Sequence, residues 1–114
     1  MKEIRTKYIP MTETSCYILL AIAKAPKHGY GIVQQVKFMT ENRITLGNGT
    51  MYGTLSKMEK DGLIRMILDD EKKKVYEITV LGKEILLNEK KRISQLNKNL
   101  EEVDSYVSFD IDEK

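Results

Sequence analysis

Residues 46–64 read LGNGTMYGTLSKMEKDGLI, and how this stretch is interpreted decides the fold. Its opening, GNGTMYG at residues 47–53, holds three glycines within seven residues and invites a nucleotide-loop reading. A dinucleotide-binding turn needs G-x-G-x-x-G between a buried strand and a helix. Here the spacing is G-x-G-x-x-x-G, preceded only by RITL at residues 43–46, with no parallel-sheet pattern after it. A P-loop needs Lys and then Ser or Thr after its last glycine, whereas Gly53 is followed by Thr54 and Leu55. Both nucleotide readings fail on spacing.

A helical reading succeeds. Met51, Leu55 and Met58 recur at four and three residues, which predicts a helix over Asn48–Lys60 with one apolar face. Gly62 stands where a helix C-terminus wants a left-handed residue. Opposite the apolar face lie Gly53, Lys57 and Lys60, with Thr50, Tyr52 and Ser56 on the flanks. Small residues admit a phosphate backbone, hydroxyls and first-turn N–H groups bond to it, and lysines neutralise it. A mid-helix glycine costs about 1 kcal/mol relative to alanine, so Gly53 favours close approach of something to that face. The plainer alternative is a turn whose glycines only satisfy backbone angles.

Outward from this helix, Thr12–Lys24 reads as a helix capped by Thr12. APKHGYG breaks it, and a second helix runs over about Tyr30–Thr40 on Ile32, Val33 and Val36. RITL reads as a short extended piece. After Gly62, LIRMIL and VYEIT flank the polar turn DDEKKK, a hairpin that places Lys72, Lys73 and Lys74 at its tip. Asp69, Asp70 and Glu71 directly before them dilute that positive charge. Helix, helix, short strand, helix and hairpin is the order of a winged helix-turn-helix. The fold class is mainly α with a small β hairpin.

A long amphipathic helix is expected over Val80–Val107, with Leu86, Ile93, Leu96, Leu100, Val103 and Val107 at heptad-like spacing. Such a stripe serves either a second subunit or a helix folded back on its own domain. About 28 residues at ~1.5 Å each extend roughly 40 Å, more than a small domain covers, which favours a second subunit. The expected division is a DNA-binding unit at 1–79 and a dimerisation helix with an acidic tail at 80–114.

The chain has 114 residues and a formal net charge of +2, unevenly spread. Residues 101–114 hold six acids and one base, a net −5 that leaves +7 on the first hundred. A basic body suits an anionic partner, although a solvated charged surface is the plainer reading. The longest apolar run, YILLAIA at 17–23, is too short to span a bilayer. One cysteine, Cys16, and no export signal suit the cytoplasm. His28, the single histidine, lacks companions for a metal site or a catalytic grouping. Neither metal, cofactor nor enzymatic activity is expected.

With these residues assembled, the chain resembles the PadR-like family of bacterial transcriptional regulators. The resemblance is carried by ILLAIAKAPKHGYGIVQQV (18–36), LGNGTMYGTLSKMEKDGLI (46–64) and YEITVLGKEIL (76–86). It implies a winged helix that binds palindromic operators, usually as a repressor, and a C-terminal helix that pairs two chains. Asn48, Thr50, Tyr52, Gly53, Ser56, Lys57 and the wing lysines would face DNA. Tyr30 and Gly31 would set the entry to the second helix and place a contact on the DNA backbone. Tyr17 would join the C-terminal helix at the dimer interface. Many members release DNA when a small molecule binds, and some short ones hold flat aromatic drugs in an interface pore lined by tryptophan. This chain has no tryptophan; Tyr17, Phe38, Tyr106 or Phe109 would have to substitute. Two other readings stand beside the regulator: a winged-helix protein-interaction module, and a multidrug or phenolic ligand sensor dominated by such a pore.

Overall fold

The computed structural model describes residues 2–70 and 73–108. In order, the elements are α1 (Lys2–Tyr8), α2 (Glu13–Lys24), β1 (Lys27–His28), α3 (Gly29–Met39), α4 (Asn48–Lys60), β2 (Ile64–Asp70), β3 (Lys73–Ile78) and α5 (Val80–Leu100). A single 3₁₀ turn follows at Val103–Ser105. The sheet is antiparallel in the order β1-β3-β2. This is a winged helix-turn-helix with a long C-terminal helix.

The core is the sum of the apolar faces read from the sequence. Ile18, Leu19 and Ile22 of α2, Ile32 and Val36 of α3, and Met51, Leu55 and Met58 of α4 are buried. Leu63, Ile64, Tyr76 and Ile85 close the core from the wing and α5. The ends of the helices follow local rules. Thr12 caps α2 by accepting from Ser15 N–H at 3.1 Å. At the end of α4, Gly62 N–H donates to Glu59 O (3.1 Å) and Leu63 N–H to Met58 O (2.9 Å). Gly62 has φ +85°, so this is the paired-bond stop that glycine permits. α3 ends the same way without glycine: Glu41 (φ 52°) and Asn42 (φ 68°) take the left-handed positions.

Several local features differ from the expectation. The extended piece at 43–46 is loop, with Ile44 N–H held by the Thr40 hydroxyl at 3.1 Å and Leu46 buried. The third strand is instead Lys27–His28, which pairs with Tyr76 and Val75. The wing strands extend into the polar turn, pairing Asp69 with Lys74 and Asp70 with Lys73. Lys73 and Lys74 are therefore strand residues rather than tip residues, and Lys72 lies outside the described residues. The C-terminal helix stops at Leu100, short of Val107. Acidic Glu101 and Glu102 follow, the wrong charge for a helix C-terminus. Its 21 residues span about 32 Å. Finally, α1 was not anticipated: Tyr8 is buried, and its hydroxyl donates to Asp61 at 2.8 Å.

Candidate nucleic-acid interface

α4 is anchored along one face and open along the other. Met51, Leu55 and Met58 are at most 1% exposed, whereas Asn48, Gly49, Thr50, Gly53, Ser56, Lys57 and Lys60 are all exposed. No side chain caps its N-terminus, where Gly47 O accepts from Met51 N–H at 3.0 Å. The first-turn N–H groups of a helix have no intrahelical acceptor. Here they sit in an exposed turn without an acidic residue, at the positive end of the helix dipole. A methyl group added at Gly47, Gly49 or Gly53 would meet nothing of the chain within 4 Å. Among the described residues, no packing contact requires these three glycines to be small.

Tyr52 has a second task. It is 53% exposed, yet its hydroxyl lies where a Cβ on Gly29 would come within 2.9 Å. The glycine at the start of α3 therefore lets the phenol of α4 rest on the α3 N-terminus. Tyr30, 68% exposed, follows Gly29, and its ring stands 6.4 Å from that of His28. HGYG and GTMYG, distant in sequence, meet at this seam. In the sequence, the only mark of Gly29's packing role is that it is the small residue directly before Tyr30.

The two described wing lysines do not share one face. Lys73 and Lys74 are exposed, but adjacent strand residues point to opposite faces, so one lysine at most faces any given side. Opposite them in register stand Asp70 and Asp69. Lower on the wing, Arg65 pairs with Glu77. A bulge between Met66 and Leu68 interrupts the ladder of the edge strand β2, a feature that discourages edge-to-edge pairing.

On α5, Gly82, Ile85 and Glu89 are buried, and Ile93, Leu96 and Leu100 continue the same side beyond the body at 43, 50 and 52% exposure. Leu86 is half-buried and packs against the core of its own chain, and Tyr17 of α2 is half-buried as well. Val103 falls in the 3₁₀ turn, half-buried, and Val107 beyond it is exposed. Gly82 has no room for a side chain, because a Cβ would come 2.3 Å from Leu63 O. The Thr79 hydroxyl accepts from Gly82 N–H at 3.1 Å and lies within donating distance of the Gly62 and Leu63 carbonyls. The end of α4 and the start of α5 are thus one joint.

Charged contacts bind the N-terminal segment across this joint. Arg5 pairs with Glu84 of α5. Lys7 donates to Asp61 at 2.8 Å, and with the Tyr8 hydroxyl it holds that carboxyl below its ordinary range. Burial, reinforced by Asp61, pushes the Tyr8 phenol up. Arg43 after α3 grips Glu13 of α2 through two hydrogen bonds of 3.1 and 2.6 Å. Among the described residues there is no grouping of three or more His, Cys, Asp or Glu side chains placed to hold a metal ion. Nor is any described helix long and apolar enough to cross a membrane.

Residues 18–88 match the family model of the transcriptional regulator PadR-like family. A PadR family transcription regulator from Clostridium difficile R20291 superposes with a TM-score of 0.69 at 28% identity, over 81% of this chain and 98% of its own. A PadR-like transcriptional regulator from Bacillus cereus shares the fold at 22% identity, TM-score 0.67, over 79% and 89% of the two chains. In sequence, protein X of Lysinibacillus sphaericus is 33% identical over 73 residues, 60% of this chain and 67% of that one. A 37.1 kDa protein of transposon TN4556 from Streptomyces fradiae is 30% identical over 80 residues; these are 70% of this chain but 23% of that longer protein. With the family match spanning the helix-turn-helix, the wing and the start of α5, the chain belongs to the PadR-like family of transcriptional regulators, whose winged helix is a DNA-binding fold.

Proposed function

We propose that the protein is a homodimeric repressor that grips a palindromic operator with two copies of α4, working in the cytoplasm. The supporting observation is the contrast between the two faces of α4. Its inner face is sealed in the core, while its outer face exposes glycines, hydroxyls and lysines, and among the described residues no side chain caps its first-turn N–H groups. Asn48, Thr50, Gly53, Ser56 and Lys57 meet the major groove and its phosphates. Tyr52 braces α3 while its exposed edge borders the same groove, and Tyr30 touches the backbone beside it. Lys73 or Lys74 reaches the flanking phosphates from the wing.

Residues 1–79 do the binding and 80–114 the pairing. This division is one of task, since Ile85 still belongs to the common core. The stripe Ile93, Leu96 and Leu100 is exposed apolar surface, and a second α5 buries it. Two recognition helices about one helical turn (~34 Å) apart then meet successive major grooves. Repression follows from occupying DNA that the transcription machinery needs.

The test is binding to duplexes from the protein's own promoter region and to random duplexes at near-physiological salt. The reading predicts preference for the promoter with two protomers per duplex. Equal, weak binding to both would sink the operator reading.

A further inference from the structure

Glu89 is out of place in its stripe. On the inward face of α5 it follows Gly82 and Ile85 and precedes Ile93, Leu96 and Leu100, yet it is a carboxylate only 1% exposed. Both of its oxygens are engaged. Oε1 accepts from Met11 N–H at 3.0 Å and from Arg92 at 2.9 Å, and Oε2 accepts from Arg92 at 2.8 Å. Arg92 is the last half-buried residue of α5, and from Ile93 to Leu100 every residue falls on exposed surface. The ion pair therefore sits where α5 leaves the domain.

Stability alone does not call for such a group. A buried ion pair is often no better than apolar side chains of the same volume, because desolvation offsets the attraction. A leucine or methionine here would extend the apolar stripe without interruption. What the carboxylate adds is direction. Met11 N–H belongs to the segment between α1 and α2, so the bond ties α5 at one height and one rotation to the body that holds α4. An apolar contact tolerates sliding and rolling, and helix crossing angles scatter by about 15–20° among apolar packings.

We propose that Glu89 is a positioning residue: with Met11 and Arg92 it fixes the angle at which α5 leaves the body, and so the distance between the two α4 helices of a dimer. The dimer part of this rests on the function proposed above; the angle within one chain does not. The lever is long enough to matter. From Glu89 to Leu100 the helix runs about 16 Å at ~1.5 Å per residue, so a tilt of roughly 20° moves its end by about 6 Å.

The experiment measures distances between spin labels in the full chain, in a Cys16→Ala background. Labels at Ser56→Cys and Lys98→Cys, diluted with unlabelled protein, report the angle within one chain. A label at Ser56→Cys alone reports the separation of the two α4 helices. With Glu89 intact both distributions are narrow. Glu89→Met shifts or broadens the first by about 5 Å, the displacement a ~20° tilt gives at Lys98 over about 14 Å of helix, and broadens the second. Glu89→Gln, which keeps an oxygen for Met11 N–H but loses the charge facing Arg92, does so less. A merely structural role lowers the melting temperature and leaves both distributions where they were, which would overturn the proposal. If Glu89→Met does not fold, Glu89→Gln decides by the same criterion. If the unsubstituted protein gives no signal between protomers, the dimer reading fails, and the distance within one chain still judges Glu89.

Discussion

Replacing Gly53 with alanine should move stability and DNA affinity in opposite directions. Gly53 lies in the interior of α4, has an ordinary helical backbone, and an added Cβ meets nothing within 4 Å. The substitution therefore introduces no clash inside the chain and removes the penalty of a mid-helix glycine, about 0.8–1.0 kcal/mol. At roughly 2.1 cal/mol/K per residue of unfolding entropy, a chain of this length gains about 4 °C in Tm. On DNA the same methyl occupies the space through which the backbone or a base edge must approach. Overpacking a close contact costs about 1–3 kcal/mol, or roughly 5- to 140-fold in Kd at ~1.4 kcal/mol per decade. Thermal unfolding and fluorescence anisotropy with promoter DNA, on the same preparations, measure both. A raised Tm with unchanged affinity would refute the close approach. A lowered Tm would refute the claim that nothing in the chain packs on this face.

Other substitutions separate the remaining parts of the account. Gly82→Ala forces a Cβ to within 2.3 Å of the Leu63 carbonyl and should destabilise by about 1–3 kcal/mol, seen as a lower denaturant midpoint. Lys57→Ala should weaken DNA binding and reduce the slope of log K against log salt by about one, with the dimer mass unchanged; an unaltered slope would remove Lys57 from the phosphate contacts. Acid should unfold the protein by loosening α5 and α1. Arg92 first, and then Met11 N–H, hold the Glu89 carboxyl below its ordinary 4.5, while Lys7 and then Tyr8 hold Asp61 below 3.8. A depressed carboxyl contributes stability above its unfolded pKa and loses it as pH falls through the folded one. The unfolding free energy should thus fall below about pH 4.5, and less steeply in Glu89→Gln. Parallel curves would show that Glu89 is not linked to folding.

The parts of the fold that rest on local rules were legible in the sequence. α4 runs from Asn48 to Lys60 as its apolar spacing and Gly62 required, and Thr12 caps α2 as expected. What escaped depends on tertiary context. β1 is two residues long, shows no alternation, and exists because Lys27 and His28 lie beside Tyr76 and Val75. α1 has one apolar pair at helical spacing, Ile4 and Tyr8, and is held largely by contacts to Asp61 and Glu84, more than fifty positions away. The heptad spacing carried the expected helix past its end, because Val103 and Val107 fit the count while acidic Glu101 and Glu102 oppose the dipole. On α4, spacing separated the exposed face from the buried one. It could not show that Tyr52 rests on Gly29, or that the wing lysines stand opposite aspartates.

Two copies of α4 that read one stretch of DNA from one side should leave a paired footprint. Hydroxyl-radical footprinting of the protein's promoter region tests it most directly. The account predicts protected patches about one helical turn apart, ~10 base pairs, on one face of the duplex, and their loss with Gly53→Ala at a concentration that saturates the unsubstituted protein. Uniform protection, or a footprint that Gly53→Ala leaves intact, would contradict it.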